Sequence, residues 1–162
     1  MKNKIFIRSI IISIIILFNT SLHAENIFIE SKNISLDKNK KVSIFENEVI
    51  IKTKENSTIK SEYAEYNKDN GLIKLKDKIT LIDKENNKVE TNYAEYNEKT
   101  KIFKSIGPTK IITSENYIVN SEDVTFDNYQ NFITSKKNTT ITDLDNNKVY
   151  LENFDFLTKQ NI

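Results

Sequence analysis

The chain has 162 residues, no cysteine, one histidine, two glycines, one proline and a formal net charge of +1. Lacking cysteine, it has no disulfide framework, thiolate metal site or cysteine nucleophile, and its one imidazole, His23, lies in an N-terminal leader. Three of the 24 cationic residues (Lys2, Lys4 and Arg8) also fall there, leaving 21 against 23 acids, a near-neutral, alternating balance that does not suggest a nucleic-acid partner.

Residues 1 to 24 begin with those cations, continue through an apolar run from Ile10 to Phe18 broken only by Ser13, and end in Leu22-His23-Ala24. This order of positive, apolar and cleavage regions predicts a signal peptide cut after Ala24 and an exported mature part over 25–162. Even counted from Ile5 the apolar run has about 14 residues, short for a membrane span. The alternative keeps the leader as a membrane anchor.

Beyond the leader the chain repeats. Tyr63-Ala64-Glu65-Tyr66-Asn67 returns unchanged 30 residues later as Tyr93-Ala94-Glu95-Tyr96-Asn97. The same step leads back to Asn33-Ile34-Ser35-Leu36-Asp37 and forward to Asp123-Val124-Thr125-Phe126-Asp127 and Asn153-Phe154-Asp155-Phe156-Leu157. Three other phases keep it: Ile29, Ile59, Val89, Val119 and Val149; Val42, Leu72, Ile102 and Phe132; Ile51, Leu81, Ile111 and Ile141. Such self-similarity defines a repeat protein.

Within a repeat the apolar period is two, the signature of strands. Ile59 and Ser61 share one parity whereas Ala64 and Tyr66 take the other, so a bulge or bend is expected near 61–63, and near its equivalents at the small polar residues Ser31, Thr91 and Ser121. Asn67-Lys68-Asp69-Asn70-Gly71 predicts a turn. The next strand, Leu72 to Ile82, breaks at Lys76-Asp77-Lys78, where the following repeat has Gly107-Pro108. The result is an all-β fold of stacked, bent strands with no helix after Ala24.

A single 30-residue unit cannot bury its own apolar face, so the units share one interior. The pattern assigns to it Ile29, Ile34, Leu36, Ile59, Ala64, Tyr66, Leu72, Ile79 and Leu81. The equivalents in the next units are Val89, Ala94, Tyr96, Ile102 and Ile111, then Val119, Val124, Phe126, Phe132 and Ile141, then Val149, Phe154 and Phe156. The chain ends at Ile162, where earlier repeats begin their second strand, which fits either a trimmed last repeat or a piece of a longer protein.

Catalytic chemistry is not legible. The acid pairs Glu62 with Glu65 and Glu122 with Asp123 follow a solvated outer face, no calcium-loop or phosphate-loop spacing occurs, and no nucleophile has a base beside it. No enzyme, cofactor or metal site is expected.

Two nine-residue stretches, Ile59-Lys60-Ser61-Glu62-Tyr63-Ala64-Glu65-Tyr66-Asn67 and Val89-Glu90-Thr91-Asn92-Tyr93-Ala94-Glu95-Tyr96-Asn97, resemble the OstA-like family, and the likeness covers residues 26 to 162. Lys76-Asp77-Lys78 departs from the family's usual Gly-Asn turn. The resemblance implies an open β-jellyroll in the periplasm whose interior, the set above without Ile29, shields the lipid A acyl chains of lipopolysaccharide. It also implies head-to-tail edge pairing with sister OstA-like domains, either as a bridge subunit or as the front domain of the outer-membrane assembly protein. A retained leader would instead make the chain an inner-membrane relay partner. The competing reading is a structural or adhesive exported β-repeat protein without lipid cargo.

Overall fold

Residues that recur every 30 positions stand two strands apart in the same row of the sheet, with one residue of the intervening strand between them. The computed structural model of the chain describes residues 27–158, which form fourteen antiparallel strands and no helix. In chain order these are β1 (Ile27–Glu30), β2 (Asn33–Asp37), β3 (Val42–Thr53), β4 (Thr58–Asn67), β5 (Leu72–Ile82), β6 (Lys88–Asn97), β7 (Ile102–Ser105), β8 (Pro108–Ile112), β9 (Ile118–Glu122), β10 (Thr125–Asp127), β11 (Phe132–Ser135), β12 (Thr139–Thr142), β13 (Lys148–Leu151) and β14 (Phe154–Leu157). The expected signal peptide at 1–24 lies outside the described residues.

The four long strands β3 to β6 bend in the middle and run through two arms. One arm is ordered β1-β3-β4-β5-β6-β8-β9-β12-β13 and the other β2-β3-β4-β5-β6-β7-β10-β11-β14. Neither arm closes on itself, so β1 and β2 are edges at one end, β13 and β14 at the other. This is the open jellyroll that the OstA-like resemblance implies, built from the stacked, bent strands that the repeat predicts.

Directly opposed residues share a face of a sheet, and the register therefore identifies the interior. In the first arm the inner row is Ile29, Ile51, Ile59, Leu81, Val89, Ile111, Val119, Ile141 and Val149, each opposite the next. In the second it is Leu36, Ser43, Tyr66, Ile73, Tyr96, Phe103, Phe126, Ile133 and Phe156. The two rows face each other and merge into one hydrophobic core.

The bends fall at the expected places. Register shifts separate Glu46 from Val49, Lys60 from Tyr63 and Lys76 from Ile79. Asn47, Glu48, Asp77 and Lys78 have positive φ there, and so does Gly107 between β7 and β8. The switch of parity lets Ile59 and Ser61 on one side of the bend and Ala64 and Tyr66 on the other all turn inward.

A bend interrupts the backbone ladder, and hydroxyls take over part of it. Ser31, Ser61 and Thr91 each bond the carbonyl two residues on, at 2.8, 3.1 and 3.5 Å. Further along, the Val124 N–H donates to Ser105 Oγ at 2.8 Å, and Thr109 Oγ1 lies 2.7 Å from the same oxygen. Ser121 and Thr139 pair at 2.8 Å. Ser105→Ala is expected to cost about 1–3 kcal/mol, because a buried N–H loses its acceptor. The urea midpoint checks this, and an unchanged midpoint would mean that Ser105 carries none of the bend.

Turns repeat as strictly as bends. Asp37, Asn67, Asn97 and Asp127 each accept, through one side-chain oxygen, the N–H groups two and three residues ahead, a self-bonding turn typical of Asx residues. Each of these turns ends in a residue at positive φ, namely Lys41, Gly71, Lys101 and Asn131. The opposite loops carry Asn56, Asn86, Asn116 and Asn146, again at positive φ. Asparagine tolerates that region better than most side chains, which accounts for so many turns with two glycines. The turns also stack: Glu98 N–H donates to Gly71 O, Asn128 N–H to Lys101 O and Thr158 N–H to Asn131 O, at 2.9, 3.2 and 2.8 Å.

Two parts of the expected interior need correction. Leu72, Ile102 and Phe132 are half-buried on the outer side, and the core positions are their neighbours Ile73, Phe103 and Ile133. The reason is hairpin register: Asn67 pairs with Leu72, so Tyr66 must pair with Ile73 and share its face. Ile34, Leu36 and Val149 do sit on inward rows but are 65%, 63% and 54% exposed. They belong to edge strands, where no further strand covers the flank.

Candidate functional site

The interior is shut in the middle and open at its C-terminal end. Of the expected interior residues, Ile59, Ala64, Ile79, Leu81, Val89, Ala94 and Tyr96 are buried, as are Ile111, Val119, Val124, Phe126 and Phe154. Tyr66, Ile141 and Phe156 are partly buried and packed against that core. Ile27, Phe45, Val49, Ile51, Ile73, Leu75, Phe103 and Ile133 complete it, and of these Ile51 alone stood in the repeat phases read from the sequence.

Toward β13 and β14 the packing loosens into a cavity of about 260 Å³ between the two arms. Its walls are Ile111, Val119, Ile133, Ile141, Leu151, Phe154 and Phe156, with Thr113, Asn153 and Asp155 also lining it. An apolar cavity of about 150 Å³ already admits a benzene-sized molecule, so this one has room for part of a hydrocarbon chain. A larger hollow of about 470 Å³ lies at the bend, lined by Lys78, Thr80, Glu90, Asn92 and Lys110 among others. It is shallow and its lining carries charged side chains, so the smaller, apolar cavity is the better ligand site.

Sequence reasoning placed Ile111, Val119, Ile141, Phe154 and Phe156 in one interior, and the structure brings all five to this cavity. It missed Ile133 and Leu151. Ile133 was hidden by its apolar neighbour Phe132, whereas Leu151 occupies the position of the small polar residues at the other bends and so looked like a departure from the repeat.

On the side of the core away from the bend, the arms touch through polar groups. Glu55 and Lys101 form an ion pair at 3.4 Å, and Ser57 Oγ donates to Asn128 Oδ1 at 3.0 Å. Glu55 Oε2, Lys101 Nζ, Asn128 Nδ2 and the Tyr96 hydroxyl are all shielded from solvent without a hydrogen bond among the described residues. Burial, reinforced by the Glu55 and Glu98 carboxylates, pushes the Tyr96 phenol far above its ordinary range. The phenol is therefore neutral at any physiological pH and serves as a packing group with one polar atom. No group of three metal-ligating side chains occurs among the described residues.

Comparisons with known proteins agree with this architecture. Residues 24–144 match the family described as "Lipopolysaccharide-assembly, LptC-related". Among solved structures, the chain is similar to LptH from Pseudomonas aeruginosa, described as the LptA-homologous periplasmic component of the conserved lipopolysaccharide transport device. The TM-score is 0.54 at 14% identity, over 63% of this chain and 76% of that one. At that identity the likeness is one of fold. No curated protein sequence matches.

Proposed function

The chain belongs to the LptC-related family of lipopolysaccharide-assembly proteins, and from that premise we propose that it holds acyl chains of lipopolysaccharide in its apolar interior while they pass through the periplasm. The observation that carries this reading is the pair of inner rows ending in an open apolar cavity at β13 and β14. Exposing an acyl chain to water costs about 0.8 kcal/mol per methylene, so a twelve-carbon chain gains roughly 9 kcal/mol from apolar shelter. Contact with Ile, Val, Leu and Phe is non-directional, so a chain can slide along such walls without breaking specific bonds. Edges β13 and β14 offer unpaired backbone groups to a sister jellyroll domain, a partner that would extend both arms.

The family match is to the LptC-related model and begins at residue 24, while the likeness to an LptA homologue is one of fold. An intact mass separates the placements: an inner-membrane relay partner would keep residues 1 to 24 as an anchor, whereas a free bridge subunit or the front domain of an assembly protein would have lost them.

Photo-crosslinking in a Gram-negative periplasm tests the carrier function. Probes at Ile141 and Phe156 are expected to yield lipopolysaccharide adducts, and outward probes at Lys60 and Glu65 none. A folded, β-rich protein that labels at neither pair would instead be a structural repeat without lipid cargo.

A further inference from the structure

On the bend side the arms are joined by continuous strands, but on the lateral side they meet by contact alone. Loop 53–57 at the tip of the first arm crosses there to the second-arm turns that hold Lys101 and Asn128. Among the described residues the other first-arm loops bond within their own arm: Asp83 with Asn87, Asn87 with Ser114 and Asp143 with Asn147. The lateral seam thus has one polar crossing point, and Tyr96 lies directly behind it.

A crossing point built only for stability would satisfy its polar atoms. Here Glu55 Oε2, Lys101 Nζ and Asn128 Nδ2 are desolvated without hydrogen bonds, and each would regain water if the arms parted. The ion pair and the Ser57–Asn128 bond favour closure, while this desolvation opposes it. Where such contributions oppose each other, a closed and an open state can both be populated.

We propose that Glu55, Ser57, Lys101 and Asn128 form a lateral latch whose opening parts the two arms and exposes the middle of the interior from the side. The purpose assigned to it, sideways entry of an acyl chain, rests on the function proposed above, but the opening itself does not. A chain entering at the C-terminal cavity meets the packed rings of Tyr96, Phe103 and Phe126. The latch gives the middle of the interior a route that avoids them.

The chain has no cysteine, so engineered thiols are unique. Spin labels at Lys54→Cys and Tyr129→Cys, both exposed neighbours of the latch, report the distance across the seam in the full chain. Two distance populations are expected, and Glu55→Gln, which removes the charge paired with Lys101, or Ser57→Ala, which removes a neutral hydrogen bond, is expected to raise the wider one by roughly fivefold, as for the loss of about 1 kcal/mol of closing interaction. A dodecanoate probe added to the unmodified latch should raise it further. One narrow distance, unmoved in both latch variants, would overturn the latch. If the distance responds to the variants but dodecanoate neither binds nor moves it, the latch stands and the lipid function fails. If dodecanoate binds while the distance never changes, the lipid function stands without the latch.

Discussion

Phe103→Ala is expected to lose about 3–5 kcal/mol of folding stability, the usual cost of deleting a fully buried ring. Phe103 is completely enclosed and sits between Tyr96 and Phe126 on the inner row of the second arm. Its strand, β7, spans only Ile102–Ser105, so the backbone has few bonds with which to offset the cavity. Domains of this size are stable by about 5–15 kcal/mol, so a large part of the total is at stake. Phe132→Ala, on the outer side, should cost about 1 kcal/mol or less. Urea midpoints of the two variants decide the phase of the strands directly, and equal losses would refute the assignment of Phe103 to the core and Phe132 to the outer face.

Ile141→Glu should separate cargo binding from folding. Ile141 is half-buried, lines the C-terminal cavity and packs against the core from strand β12. A carboxylate there can turn toward the open mouth and keep its water, so the fold should lose only about 1–2 kcal/mol. An acyl chain entering the same cavity would have to strip that carboxylate of water or leave the cavity. A penalty of about 3 kcal/mol for an unpaired polar group weakens binding on the order of 100-fold. Displacement of a fluorescent acyl probe measures this, and unaltered affinity in a folded Ile141→Glu protein would place the cargo elsewhere. Leu151→Glu, one strand further out, should act the same way with less effect on the fold.

Much of this architecture was legible because strands translate a fixed sequence step into a fixed spatial neighbour. Ile59, Val89 and Val119 recur every 30 residues and occupy one inner row, and Asn67 and Asn97 recur because the same self-bonding turn is built each time. The bend near Ser61 could be read from parity, since no straight strand turns both Ile59 and Ala64 inward. The Leu72-Ile73 pair was not legible by period alone, for either residue could be the inward one. Counting outward from the turn would have decided it, because the partners Asn67 and Leu72 leave Tyr66 opposite Ile73. The contact of Glu55 with Lys101 was out of reach. It depends on how far two layers twist across each other, and polar residues in loops leave no periodic trace of that. The location of the open end was hidden for the same reason.

The stacked turns bear on how such a chain can change in length through evolution. Gly71, Lys101 and Asn131 each pass one backbone bond to the turn of the following unit, and every bend and ladder repeats at the same step. A duplicated segment such as 58–87 would find its neighbours' ladder and turn surfaces already complementary, and would displace only the crossing of Glu55 and Ser57 to Lys101 and Asn128. Each duplication would add two strands, so the molecule would grow by about 10 Å at a time. The gene thus encodes a ruler with one graduation per repeat, and relatives spanning different distances can differ by whole graduations while every residue keeps its role.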